Sequence, residues 1–555
     1  MSRAVFMIAG QLTSKFKTNQ TNNFAMKFKM FTNTLGMSLR VVCVGMVAAL
    51  TVACSDDKVD EAANTPYDPN KAVTISRFTP EEGGQQDQIL VYGSNFGNDK
   101  DYVKMTIGGK PATIVNVMND KLYGFVPAGA FEGTIELTVT NEAGQEQTAV
   151  APQKFVYERK TVVGTLCGYR NAEDSQGVVY GPFETTAGFR DQGTLCLDPW
   201  NKDLLYAVYD DGHHVVALDL EKREHYRLFE ASKFQDRRLR QMAFNIVVPG
   251  SKYQTEAGKY MLMSTDRDDN QFHTTSLWIV TRNANGTFNA SSSSQVLAAY
   301  KQCNGVAVHP INGEVYFNSY SGGQLFRLDL DDYFASKDPE NENAKTWTGY
   351  IENGCFRELF KIMDPSYEFN VTIHPSGKFA YINVINRHYI LRTDYNEEKK
   401  EFTAPYTVAG SNGHGGWVDG AGGRSRVHRP YQGIFVKNPE YVAEGREDVY
   451  DYYFADNQNY CIRYISPEGI VTTYAGHSPS TDGNIWGTED GDLRQQARFR
   501  DVSGIEYDYK RERFYVLDHN NRSIRTIGME EDPVVVTPDP EPTPDPGEGG
   551  ENTEE

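Results

Sequence analysis

Between residues 72 and 157 apolar and polar residues alternate in short runs: "AVTISRFTP", "DQILVYGSNFG", "YVKMTIGGKPA", "KLYGFVPAG", "GTIELTVTNEAG" and "QKFVYE". A period of two, broken by Gly, Pro and Asn at this spacing, predicts short antiparallel strands closed into a β-sandwich. Helical periodicity is scarce along the whole chain, so the fold is read as all-β.

Past residue 160 the pattern repeats. An apolar strand, a turn, an aromatic strand, a polar loop and a third strand recur from Gly193, Phe244, Gly305, Phe369, Gly433 and Gly504. Successive copies stand roughly 50–70 residues apart, the spacing of a blade-like repeat. One such unit cannot bury both of its faces, but six arranged radially bury one another and leave few open edges. The expected architecture is a six-bladed β-propeller over residues 158–530. The lone strand "TVVGTLCGY" at 161–169 is expected to supply the last blade's missing fourth strand and close the ring.

The phrases "FTPEEGG", "VYGSNFG", "IGGKPA", "VPAG" and "VTNEAG" occur in order, and residues 72–157 resemble an IPT/TIG immunoglobulin-like domain. The stretches "YTVAGSNGHGGWVDGAGGRSRVHRPYQGIFV" and "TTYAGHSPSTDGNIWGTEDGDLRQQARFRDVSGIEYD" resemble NHL repeats, with a degenerate third copy near 164–198. Repeats two to four depart from that pattern by long insertions. This pairing of domains resembles a group of Bacteroidota surface lipoproteins. The resemblance implies a spacer-like IPT/TIG domain with no catalytic residue and a SusC/SusD-type outer-membrane uptake system as partner.

The termini fit that reading. Lys27, Lys29 and Arg40 precede the apolar run Val41 to Ala53, which is short for a membrane span and suited to a signal peptide. It ends at Cys54, the expected lipidation site, and the acidic "SDDK" after it resembles a surface-export signal. Residues 1–25 have no signal character, so a start at Met26 or Met30 fits as well. Residues 1–54 are thus a signal segment and 55–71 a polar, acidic tether. The Pro-rich acidic tail, 531–555, cannot bury a core. The expected location is the outer membrane, lipid-anchored and exposed at the cell surface.

The net charge of −20 argues against nucleic-acid binding, which needs a basic face. Beyond Cys54 the cysteines are Cys167, Cys196, Cys303, Cys355 and Cys461, odd in number and without C-x-x-C spacing. Neither a disulfide framework nor a zinc site is expected, and no cofactor is predicted. Whether a channel metal exists stays open. There is no G-x-S-x-G, H-E-x-x-H or P-loop signature.

Propeller topology sorts the loops. With strands A to D running outward, A–B turns lie on one face and carry Trp200, His309 and His374. His309 and His374 stand where other repeats carry Asp198 or Asp508, so they read as turn residues. B–C loops and D–A connections share the other face. There the ligand-binding candidates are Trp417, Trp486, His414, His213, Asp211, Tyr320, Arg387, Asn457 and Asn520. Adjacent His213 and His214 would point to opposite sides of a strand, which does not make a metal site. Asp210, Asp456 and Asp518 recur at the end of strand B and read as caps of the B–C turn. Trp417 and Trp486 sit at similar places in two connections. They read either as a plug between blades or as stacking platforms.

The expected function is non-catalytic capture of an extracellular ligand, a polysaccharide in the first instance, for an uptake complex. Aromatic faces with amides and carboxylates around them suit sugar rings and hydroxyls. Two alternatives stand beside it: a propeller hydrolase or lyase with a metal at the channel mouth, and a structural scaffold of an outer-membrane complex.

Overall fold

The structure, a computed structural model, describes residues 64–531 apart from 169–177, 187, 210–213, 236–237, 267–274, 300–301, 320–321, 351–353, 363–367 and 481. Strands dominate, and helix is confined to short segments such as Leu330–Lys337 and Pro439–Ala443.

The first unit is a sandwich of two antiparallel sheets. One runs in the order Thr74–Thr79, Gln88–Ser94, Lys121–Phe125, Thr113–Met118; the other, Lys110–Pro111, Val103–Ile107, Ile135–Thr140, Glu146–Val150. Alternate residues of each strand face inward. Ile89, Val91, Leu122, Met105, Ile107, Leu137 and Val139 form one buried core with Phe78 and Phe155. Each such side chain contributes about 1.5–3 kcal/mol on leaving water.

The second unit is a ring of six antiparallel sheets, here called blades 1 to 6. Their innermost strands are Gly193–Leu197, Arg238–Phe244, Val306–Val308, Phe369–Ile373, Pro430–Lys437 and Val502–Asp508. Each innermost strand touches the next, and that of blade 6 touches that of blade 1, so the ring closes. Strand Thr161–Gly168 completes blade 6 by pairing along Ser523–Met529, with Thr161 opposite Met529 and Gly168 opposite Ser523. First and last segments of the ring are thereby hydrogen-bonded together.

The hydrophobic cores lie between blades. Tyr206 and Val208 of blade 1 pack with Leu239 and Met242 of blade 2, while Leu205 and Ala207 of the same strand pack with Tyr515 and Leu517 of blade 6. Both faces of a blade are therefore covered, which is why strand Leu204–Tyr209, "LLYAVY", is apolar almost throughout.

Blade 2 differs from the sequence reading. Its inner strand is Arg238–Phe244, so Phe244 ends that strand and does not open the repeat. The run "RLRQMAF" hides its strand character because Arg240 and Gln241 serve the centre of the ring. Gln241 Oε1 accepts from Val306 N of blade 3 (3.2 Å). Gln432 of blade 5 accepts from Leu195 N (2.8 Å) and Ile505 N (3.0 Å) and donates to Leu195 O (2.7 Å). Arg240 pairs with Glu368 of blade 4. Amide and guanidinium side chains thus bridge the innermost strands and satisfy backbone groups there.

The two units meet at the outer edge of blade 6. Glu530 accepts from Tyr157 Oη (2.7 Å) and Lys160 N (3.2 Å), and Gln85 Nε2 donates to Gln496 Oε1 (2.9 Å).

Candidate functional site

On the A–B turn face the Asp and His residues do the same job. Asp198 accepts from the backbone N–H groups of Trp200 (2.8 Å) and Asn201 (3.1 Å), and Asp508 from those of Lys510 (2.8 Å) and Arg511 (3.2 Å). His309 Nδ1 accepts from Ile311 N and Asn312 N, both at 3.3 Å, and its Nε2–H donates to Gly377 O (3.0 Å). His374 Nδ1 accepts from Ser376 N (3.1 Å). These side chains are buried and occupied in holding turns. Among the described residues no three His, Cys, Asp or Glu side chains gather to hold a metal ion.

The opposite face is built, in blades 5 and 6, by a repeated polar network. Asp456 accepts from His428 N (2.7 Å), Asn459 Nδ2 (2.8 Å) and Arg463 (2.8 Å). Arg463 also donates to Arg426 O, Val418 O and Asp419, while Asn459 reaches Gly416 O. In blade 6, Asp518 accepts from Arg500 N (2.8 Å), Asn521 (2.7 Å) and Arg525 (2.8 Å), and Arg525 continues to Arg498 O, Glu489 O and Asp490. Both arginines and both aspartates are buried; burial pushes each Asp upward in pKa and its Arg partner pulls it back down. The spacing Asp-x-x-Asn-x-x-x-Arg thus ties each B–C loop to the D–A connection beside it. Asp456 and Asp518 cap more than their own turn. Asp210 lies outside the described residues.

That network sets the register of the two connections. Asp419 corresponds to Asp490 and Gly416 to Gly487, so Trp417 corresponds to Thr488 and Trp486 to Gly415. The two tryptophans are therefore displaced by two residues and are not a repeated plug. Trp417 stacks on His477, ring centroids 3.7 Å apart at 19°, and its Nε1 donates to Thr473 Oγ1 (2.9 Å), yet 40 % of the residue is exposed. Trp486 has the Arg500 guanidinium 4.8 Å from its ring centre and is 38 % exposed. Each is held on one side and open on another. In blade 5 Gly415 stands at that place, packed so closely that a Cβ would come within 2.6 Å of the His428 ring.

The remaining candidates divide. His414 is exposed, its Nδ1–H donating to Asn412 O (2.8 Å). Arg387 Nε donates to Asn412 Oδ1 (2.9 Å), and Gly413 N donates to Arg387 O (2.9 Å), so the glycine-rich loop folds back on the blade 4 B–C loop. Asn520 is exposed and donates to Asp501. Asn457 is buried, and its amide donates to Val502 O (2.9 Å), joining blade 5 to blade 6. His213, Asp211, Tyr320 and the lipidation candidate Cys54 lie outside the described residues.

Sequence reasoning missed the residues between these loops. His388, Arg429, Asp501 and His519 come from blades 4, 5 and 6, and Arg429 stands close enough to perturb the other three. Arg429 lies near both His388 and His519, and burial holds both imidazoles down to about 4. His388 Nδ1 accepts from Arg429 N (3.2 Å). Arg429 and Asp501 occupy equivalent places before strand A, and both have φ of +60°. A left-handed residue without glycine just before each strand, in "HRPYQG" and "FRDVSG", is the signal that repeat alignment could have exposed.

Residues 73–157 match the IPT/TIG domain. Over 84 % of its length the chain is similar to crystal structures from Bacteroides. A candidate phosphatase from Bacteroides thetaiotaomicron is 48 % identical, covering 84 % of this chain and 99 % of that one, with a TM-score of 0.74. An auxiliary nutrient binding protein from Bacteroides thetaiotaomicron is 38 % identical over 84 % of this chain and 100 % of its own, TM-score 0.68. A second, from Bacteroides ovatus, is 32 % identical with the same coverage and a TM-score of 0.56. No curated protein matches the chain.

Proposed function

The chain belongs to the Bacteroides family represented by the auxiliary nutrient binding proteins, and on that premise we propose that it captures an extracellular nutrient on the loop face of its propeller. The ligand class is a glycan, bound at the outer membrane by a lipid-anchored protein that serves a SusC/SusD-type uptake complex. The single observation that carries the glycan reading is Trp417. Its indole is held flat by His477 and by a hydrogen bond to Thr473, and it is still 40 % exposed. A fixed, half-open indole is a ready stacking surface for a sugar ring and loses little rotamer freedom on binding. Trp486 supplies a second surface in the neighbouring connection.

The test is affinity electrophoresis and calorimetry with a panel of soluble glycans. At least one glycan is expected to bind, and Trp417→Ala to weaken it at least about tenfold, the loss of roughly 1.4 kcal/mol of contact energy. Binding to no glycan, or full affinity in Trp417→Ala and Trp486→Ala alike, overturns the reading. Steady hydrolysis of p-nitrophenyl phosphate by the intact protein would favour catalysis instead, the activity named for the 48 % identical relative.

A further inference from the structure

Among the described residues the charged groups of the loop face are unevenly spent. Arg463 and Arg525 are bound up with Asp419, Asp456, Asp490 and Asp518. Among the described residues Arg429 and Arg500 make no ion pair and no side-chain hydrogen bond, Arg500 only lying over the Trp486 ring. Arg429 Nε is shielded from solvent without a partner, and so is His519 Nδ1 in the adjoining B–C loop. That one N–H has given up water without a compensating bond, as have the Nε groups of Arg463 and Arg525, but Arg429 as a whole is only half-buried and none of the described carboxylates engages it.

The two arginines sit in adjacent connections. Arg500 occupies the place that His428 holds in blade 5, since each N–H caps the Asp of its own blade, and Arg429 follows His428 directly. Among the described residues the carboxylate that stands in the patch is Asp501, already engaged by Asn520 and raised in pKa by burial. His388 and His519 are neutral near pH 7 and offer ring N–H groups without adding charge. The patch therefore carries more cationic than anionic charge on a chain whose net charge is −20. The distant negative charges are screened beyond about 8 Å at physiological salt, so the local arginines govern contact.

We propose that this patch binds an oxyanion, and that the captured glycan is an acidic one whose carboxylate or sulfate ester sits on Arg429 and Arg500 while a sugar ring lies on Trp486. The inference rests on the capture reading above. Guanidinium groups take such anions through paired N–H donors, and the indole beside Arg500 gives the rest of the sugar its apolar contact.

Calorimetry on the intact chain tests it with four probes: polygalacturonate, chondroitin sulfate, dextran and inorganic sulfate. An acidic polymer should bind while dextran binds at least tenfold more weakly. Arg429→Gln and Arg500→Gln should each cost about tenfold and the pair about a hundredfold, with melting temperatures unchanged. Uronate against sulfated polymer then tells which anion is carried. Tight binding of dextran with no loss in the Arg variants overturns the oxyanion proposal and leaves glycan capture standing. Inorganic sulfate binding as tightly as the polymers overturns the acidic-glycan part. If no probe binds, the oxyanion proposal falls, and the capture reading is decided by the wider glycan panel.

Discussion

His225 shows how one buried side chain contributes to the protein's response to acid. Its Nδ1–H is directed at Thr186 Oγ1, whose own proton goes to Val179 O, and its Nε2 is buried with no partner. The ring packs on Phe189 and Tyr180. Protonating Nε2 would leave a buried, unpaired cation, so burial holds the imidazole down to about 4. The unfolded chain binds that proton near 6.5. Stability is therefore full above that pH and is lost as pH falls toward 4. By linkage the loss at pH 5 is about 2 kcal/mol from this residue alone. Urea midpoints at pH 7.5 and 5.0 measure it, and His225→Phe should shrink the difference by about that amount while the other buried histidines keep their share; an unchanged difference would refute the assignment. Residues of this kind were not legible in advance. The sequence displays a histidine in a strand, but not which ring nitrogen meets a hydroxyl. Trp417 was legible as a question, plug or platform, and the structure answers that it is anchored on one side and open on another. Arg429 was not legible at all, because its importance lies in having no partner.

At the scale of elements, two devices hold the propeller together. The first is the buried Asp-Asn-Arg network. Removing Arg525 takes the counter-charge from buried Asp518, whose carboxyl burial already pushes upward, so Arg525→Met should cost about 3–5 kcal/mol. The double variant Arg525→Met, Asp518→Leu should recover much of that loss in a denaturant titration. The second is the closing strand. A chain lacking residues 161–168 leaves the C strand of blade 6, Ser523–Met529, paired only on its inner side and uncovers an edge. It should lose cooperative melting and aggregate; a truncated chain that melts as sharply as the intact one would show that closure is dispensable. The recurring Asp456 and Asp518 and the stray strand at 161–169 were visible in the sequence because they follow the repeat. Blade 2 was read out of register because its inner strand carries Arg240 and Gln241, and a strand that feeds polar groups into the centre of a ring lacks the apolar signature. The offset of Trp417 and Trp486 was invisible for a related reason. Glycine-rich connections align loosely, and only the arginine–carboxylate pairs fix their register.

At the scale of the whole molecule, the IPT/TIG domain is docked through a polar junction centred on Glu530. Such a junction sets orientation more than stability. Glu530→Ala should widen the solution ensemble, seen as a larger radius of gyration by small-angle scattering, while the melting temperature stays nearly constant. The repeat count and the order of the two units could be read from pattern alone, since burial between blades demands apolar strands at a fixed spacing. The ligand face could be named only by topology, and its charge only by seeing which side chains are already paired.

The proposed ligand site lies on the loop face, across the connections entering blades 5 and 6. Hydrogen–deuterium exchange of the intact protein, with and without a bound glycan, tests it most directly. Protection is expected in residues 411–429 and 477–501, with no change in the A–B turns at 198–203 and 508–512. Protection confined to those turns, or to residues 73–157, would contradict it.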